Sequence, residues 1–325
     1  MYEDFFGLVS CPFDLTPDPR YLFLTPSHRE ALSSLEYGIS ARTGVTVLVG
    51  EAGTGKTTLI RATLEGRDET KTKAIYLNNP TLTRSEFLEF LASKFELPAD
   101  VASSKTRLLS ELEVVLFKML RDGITPALII DEAQSLPHEL LEEIRLLANA
   151  ETAQQKLLPI ILAGQPELAA RLNHPSLRQL KQRVGLRCNL RPLDLNETGA
   201  YITARVKVAG GAAGALFTRE AVMTIHERSQ GIPRVISVIC QNALINAFAQ
   251  GRKPVTTDCV LEVCRDFELN KRPSGDAVAL SRPDSTLTVG HGRLPTMADN
   301  VPPRIRQREM FNEVAKPKRW YSFFE

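Results

Sequence analysis

The chain has 325 residues, enough for one large or two medium domains that each bury a core. Hydrophobic residues make up 43% and charged residues 24%, close to soluble globular averages, so composition gives no sign of a fibrous or wholly disordered protein. A formal charge of +2 is too small to argue for nucleic acid by itself, although the charge is unevenly spread.

The five cysteines, Cys11, Cys188, Cys240, Cys259 and Cys264, form no C-x-x-C pair and have no histidine at metal-ligand spacing. They point to a reduced, cytosolic setting. No apolar run approaches the ~18 residues that a membrane helix needs. The start MYEDFFGL carries acids where a signal peptide would carry bases. The expectation is a soluble, cytoplasmic chain without a transmembrane segment, at most peripheral at the inner membrane.

From Val45 to about Asn189, short apolar runs alternate with helical patterns. VTVLVG, KAIYLN, ALIID, LPIILAG and VGLRCNL read as strands, whereas TLIRATLEG, RSEFLEFLASKF, KTRLLSELEVVLFKMLRDG and PHELLEEIRLLANAE carry apolar residues at helical spacing. The alternation predicts a parallel sheet flanked by helices. After Pro192 the strands stop. LNETGAYITARVKVAGG, TREAVMTIHERSQG, PRVISVICQNALINAFAQG and TTDCVLEVCRDFEL read as four helices with polar starts, three of them closed by glycine. From about Asn270 the sequence turns to Pro, Gly, Ser and Asp and reads as a disordered tail. That tail holds ten Lys and Arg against six Asp and Glu, so it carries +4 and the rest of the chain −2. The division is an α/β nucleotide-binding domain with an N-terminal extension over 1–192, a helical domain over 193–269 and a basic tail over 270–325.

The strand VTVLVG runs into GEAGTGKTT, where Gly50, Gly55, Lys56 and Thr57 match G-x-x-x-x-G-K-[ST]. Between a strand and a helix, this spacing lets backbone N–H groups of Gly50, Glu51, Ala52, Gly53, Thr54, Gly55, Lys56, Thr57 and Thr58 wrap the phosphates of ATP. Lys56 would reach the β- and γ-phosphates, and the Thr57 hydroxyl would ligate Mg²⁺. The second half of such a site is a carboxylate at the end of an apolar strand. ALIIDE supplies Asp131, to hold Mg²⁺ through water, and Glu132, to orient and polarise the attacking water. An acid beside the metal aspartate points to hydrolysis of ATP.

There is no LSGGQ-like signature of transporter ATPases, and DEAQ lacks the later motifs of a helicase. The AAA+ class remains. Gln165, at the end of LPIILAG, stands where that class places a polar γ-phosphate sensor, although the usual residue is Asn, Ser or Thr. Arg234, in GIPR at a helix start, resembles the second sensor, which couples lid position to nucleotide state.

Together MYEDFFGLVSCPFDLTPDPRYLFLTPSHREALSSLEYGI, GEAGTGKTT, DEAQSL, LAGQPEL, LKQRV and SQGIPRVIS closely resemble the ExeA/GspA group of bacterial AAA+ ATPases, over roughly Met1 to Leu269. The resemblance implies an ORC-like AAA+ module with a five-stranded parallel core and a helical lid, acting in an oligomer. Relatives in that group are encoded with secretion, exopolysaccharide and exosortase loci. ExeA continues into a membrane segment and a peptidoglycan-binding domain, which this sequence is not expected to share.

Between Ala169 and Leu193 lie six bases, Arg171, Arg178, Lys181, Arg183, Arg187 and Arg191, and no acid. By family position Arg183 is the finger that reaches a neighbour's ATP, with Arg178 as second choice. Two lesser readings of the same run are a contact to a nucleic-acid backbone and a solvated surface. At the end, KPKRWYSFFE places Trp320, Phe323 and Phe324 on one helical face after three bases, which suits a docking motif or an interfacial anchor. Two functions remain open. One is an ATPase that remodels a protein partner, membrane-associated or not, of a secretion or exopolysaccharide-export machine. The other is a DNA-associated ATPase of the MuB and TniB type.

Overall fold

The computed structural model describes residues 1–15, 21–68, 70–78 and 81–269. The strands are β1 (Val45–Gly50), β2 (Thr72–Leu77), β3 (Thr125–Ile130), β4 (Ile160–Gly164) and β5 (Val184–Leu190). They form one five-stranded sheet in the order β2-β3-β4-β1-β5, with every neighbouring pair parallel. The sequence-predicted strands agree with these to within two residues at either end.

Strands β1 and β4 are buried along their whole length, and β3 from its second residue. That is why they read as unbroken apolar runs rather than as alternations. Their side chains still alternate. Val45, Val47, Val49, Leu128, Ile130, Ile160 and Leu162 face one core, while Leu48, Ala127, Ile129, Ile161 and Ala163 face a second. The first core is closed by helices α4 (Arg84–Lys94), α5 (Lys105–Arg121), α6 (His138–Leu147), α7 (Pro166–Leu172) and α8 (Arg178–Lys181). The second is closed by α2 (Pro26–Ser40) and α3 (Lys56–Glu65). Helices on both faces follow from parallel pairing, because each return to the sheet needs a crossover.

Helix starts are set by local chemistry. Thr83 and Asp194 form capping boxes with Glu86 and Glu197, and Thr25 caps α2 ahead of Pro26. The helical region consists of α9 (Leu195–Val208), α10 (Ala213–Leu216), α11 (Arg219–Ser229), α12 (Pro233–Ala249) and α13 (Thr257–Asp266). The four long ones are those read from the sequence.

The N-terminal segment departs from the expectation. Assigned with the sheet, it instead supplies Tyr2, Phe6, Leu8 and Phe13 to the core of the helical region, beside Tyr201, Phe217, Ile236 and Leu244. The short helix α1 (Tyr2–Phe6) carries two of these side chains. Phe13 is fully buried and meets the Phe217 ring edge-on at 6.0 Å. The reason is energetic: five large apolar side chains within MYEDFFGLVSCPF find buried area only against the lid helices, worth about 1.5–3 kcal/mol for each one fully buried.

The described residues belong to one compact unit. The expected basic tail and KPKRWYSFFE lie outside the described residues. Among the described residues no helix is long and apolar enough to cross a membrane.

Candidate nucleotide site

Strand β1 delivers Gly50 to the C-terminal edge of the sheet, and the chain turns through residues 51–55 into α3. Gly53 (φ 81°) and Gly55 (φ 96°) both sit in the left-handed region, where a side chain would be strained. Gly55 caps α3 without a side-chain hydrogen bond, so the first-turn N–H groups of this helix stay open to a ligand. Glu51, Ala52 and Thr58 are exposed along the turn, while Thr54 is buried and its hydroxyl donates to the Glu51 carbonyl at 2.8 Å.

Lys56 is buried in this loop. Its ammonium donates to the carbonyls of Gly50 at 2.9 Å and Glu51 at 3.1 Å, leaving one of its three N–H donors unspent. Burial pushes its pKa down, and the carboxylates of Glu132 and Asp131 pull it back up.

Asp131 follows β3 and is 2% exposed. Its Oδ2 accepts from the Thr57 hydroxyl at 2.6 Å and from the Tyr76 hydroxyl at 2.9 Å, and its Oδ1 accepts from the Glu132 amide at 2.9 Å. Burial first, then the Asp131 charge, pushes the Tyr76 phenol well above its ordinary pKa, so it remains a donor. A hydroxyl paired with a carboxylate is the hard-oxygen set that Mg²⁺ takes, and the unspent Lys56 donor suits a phosphate. The residues therefore fit both groups.

Glu132 has φ 53°, uncommon for a residue other than glycine. Its Oε2 accepts from Gln134 Nε2 at 2.6 Å and, at a long 3.5 Å, from Gln165 Nε2. Gln165 thus reaches Glu132 directly across the site.

The far wall comes from the helical region. The Arg234 amide donates to the Gly53 carbonyl at 3.3 Å, and a Cβ on Gly53 would stand 2.8 Å from Arg234 Cβ. Glycine is needed here because the lid helix α12 starts against the loop. A cavity of about 410 Å³ lies between, lined by Lys56, Thr57, Glu132 and Arg234, with Tyr21 and Phe23 from the N-terminal segment and Tyr201 and Arg205 from α9.

Arg183 is placed elsewhere. It precedes β5, and its carbonyl accepts from the Val45 amide at the start of β1. The six residues of β1, about 20 Å of strand, separate it from Gly50. Arg183 therefore does not reach the site of its own chain. Arg178, Arg183, Arg187 and Arg191 are exposed, and their side chains form no hydrogen bond or salt bridge among the described residues. Arg171 differs: its guanidinium donates to the Gln134 carbonyl.

Sequence reasoning missed His28, Tyr76 and Gln134. His28 is buried in α2, with Nδ1 2.7 Å from the Thr25 hydroxyl and Nε2 3.0 Å from the Thr54 carbonyl, so it props the loop from behind. Its signal was Thr25-Pro26, a helix start that aims the next residues at the loop. Gln134 could have been found from DEAQ, two residues beyond Glu132.

Residues 40–172 match the family described as AAA domain. The chain has the P-loop AAA fold. It is 43% identical over 251 residues to general secretion pathway protein A of Aeromonas hydrophila, so the resemblance to the ExeA/GspA ATPases holds. That alignment takes in 77% of this chain and 46% of the relative, so the chain spans about half of that protein's length. Among solved structures, Cdc6p of Pyrobaculum aerophilum aligns with a TM-score of 0.60 at 18% identity, over 78% of this chain and 70% of that one. Drosophila ORC bound to DNA aligns at 0.59 and 18%, over 79% and 64%. Aeropyrum pernix ORC2 in its ADPNP–ADP complexes aligns at 0.56 and 19%, over 78% and 71%. These likenesses fix the AAA fold, with its five-stranded sheet and helical lid.

Proposed function

We propose that the protein is an Mg²⁺-dependent ATP hydrolase whose turnover changes lid angle and assembly state, and thereby remodels a protein partner of an export machine. The observation that carries this reading is the set of Lys56, the Thr57–Asp131 pair and Glu132 along one wall of a cavity whose other wall holds Arg234.

In this reading the loop from Gly50 to Thr58 binds the phosphates through backbone N–H groups, and Lys56 adds its third N–H donor. Mg²⁺, when bound, neutralises phosphate oxygens, and Thr57 and Asp131 are the residues that would hold it. Glu132 orients water and takes its proton at the carboxylate. Arg234 and Gln165 report nucleotide state to the lid and to the end of β4. Arg183, with Arg178 as the alternative, completes the site of a neighbouring copy, which requires a homo-oligomer. The likeness to general secretion pathway protein A of Aeromonas hydrophila favours secretion, and a partner at the inner membrane would bring this cytoplasmic chain there.

A second reading, a DNA-associated ATPase, is favoured by one observation. Arg187, on the edge strand β5, and Arg191, just beyond its end, are exposed and without side-chain partners among the described residues.

The test is ATP turnover by the wild type and by Glu132→Gln. Loss of the base should slow turnover at least about 100-fold while ATP still binds. Unchanged turnover would remove Glu132 from its role. Turnover stimulated by duplex DNA at low salt and lost at high salt would promote the second reading.

A further inference from the structure

Gln134 belongs to neither half of the phosphate site as it was read from the sequence, yet it makes the shortest hydrogen bond to the proposed base. Its Nε2 donates to Glu132 Oε2 at 2.6 Å, while its Oε1 accepts from the Gln165 amide at 3.1 Å. These two contacts fix which way the side-chain amide points. A backbone N–H can only donate, so the oxygen must face Gln165, and the NH₂ group is left facing the carboxylate.

Three further features hold the amide in that place. Gly164 ends β4 directly beneath it: a Cβ there would stand 2.8 Å from Gln134 Oε1, so this glycine makes the room that the side chain occupies. The Arg171 guanidinium, from α7, donates to the Gln134 carbonyl and fixes its backbone. Gln134 itself lies in a single 3₁₀ turn, Ala133–Ser135, whose first residue is fully buried.

We infer that Gln134 is a positioning residue: it holds Glu132 Oε2 through its amide so that the other carboxylate oxygen faces the cavity. The inference rests on the ATPase reading above and sharpens it. A glutamate side chain has three χ torsions, and a charge-assisted hydrogen bond from an anchored donor restricts them. Gln134 reads the end of β4 at the same time, because its oxygen is bound by the residue proposed to sense nucleotide. A shift of the Gln165 backbone at the end of β4 is therefore passed to Glu132 through the Gln134 side chain, beside the long direct contact from Gln165 Nε2.

The experiment is a double-mutant cycle on the full chain with Gln134→Leu, which keeps the shape and removes both polar contacts, and Glu132→Gln. Readouts are the steady-state rate, dissociation of a fluorescent ATP analogue, and the melting temperature. If Gln134 acts through Glu132, Gln134→Leu lowers kcat about 10- to 100-fold. The analogue's Kd stays within about twofold, as expected when ground-state binding is untouched. On the Glu132→Gln background the same change has no further effect on single-turnover rate. The inference is overturned by a Gln134→Leu protein that turns over like the wild type, or by one whose loss is equal on both backgrounds. A loss that comes with weaker analogue binding and a lower melting temperature overturns it too, as a purely structural effect. A wild type that never hydrolyses ATP would sink the ATPase reading itself, and this inference with it.

Discussion

The two walls of the cavity are built in different ways. Most of the sheet wall is assembled from neighbours in sequence: β1, the loop and α3 form one continuous run, and Asp131 joins from the end of β3, which is separated from β1 by β4. The lid wall is assembled from the two ends of the described chain, because Tyr2, Phe6 and Phe13 lie in the same core as Cys240, Val260 and Cys264. Arg205 ties them together, donating to the carbonyls of Pro12 at 2.6 Å and Asp14 at 3.0 Å with its guanidinium 4.7 Å from the Tyr21 ring. A wall made locally can hold phosphates rigidly. A wall held by distant segments is the one that can loosen and close, since its contacts span the longest loops.

The largest expected effect tests the lid wall. Phe13→Ala should cost about 3–5 kcal/mol of stability, because it opens a cavity in a fully buried site. Calorimetry that finds under about 1 kcal/mol would show that the N-terminal segment is dispensable to that core. Lys56→Met tests the sheet wall. ATP affinity should fall about 100-fold, roughly 2.7 kcal/mol, with the melting temperature of the nucleotide-free protein little changed. A fall in affinity below threefold would mean that the loop does not carry the phosphates.

Smaller effects concern the joints. Arg205→Ala should cost about 1–2 kcal/mol, the sum of partly buried cation–π contacts and backbone hydrogen bonds, and should raise proteolysis within residues 1–15 before any other described segment. Cleavage first elsewhere would break the claim that Arg205 is the tie. Tyr76→Phe removes one of the three donors on Asp131 and should raise the Mg²⁺ concentration for half-maximal turnover about fivefold, as expected for a group that orients a metal ligand. An unchanged Mg²⁺ requirement would leave the phenol as packing alone.

The contrast also explains what the sequence disclosed. The phosphate loop, both carboxylates and all five strands were legible because their signals are local: glycine spacing, a lysine at a helix start and acids closing an apolar run. The four long lid helices were legible for the same reason, from polar starts and glycine stops. The lid's own core was not, because Tyr2, Phe6 and Phe13 lie in a short segment that does not reveal its partners, and those partners lie some 200 residues away in sequence. Tyr76 was hidden by register. It pairs with Ile129, two residues before Asp131 on the adjacent strand, and only that pairing brings the phenol to the carboxylate. Gln165 stands where Asn, Ser or Thr is usual, and its longer side chain comes within 3.5 Å of Glu132.

One measurement tests the central claim, that a single nucleotide cleft spans both walls. Hydrogen exchange of the backbone amides, with and without ATP and Mg²⁺, should show protection of residues 50–58 together with 21–24 and 232–237, although the last two segments are far from the loop in sequence. Protection confined to residues 50–58 would contradict it and leave the lid as a neighbour of the site instead of half of it.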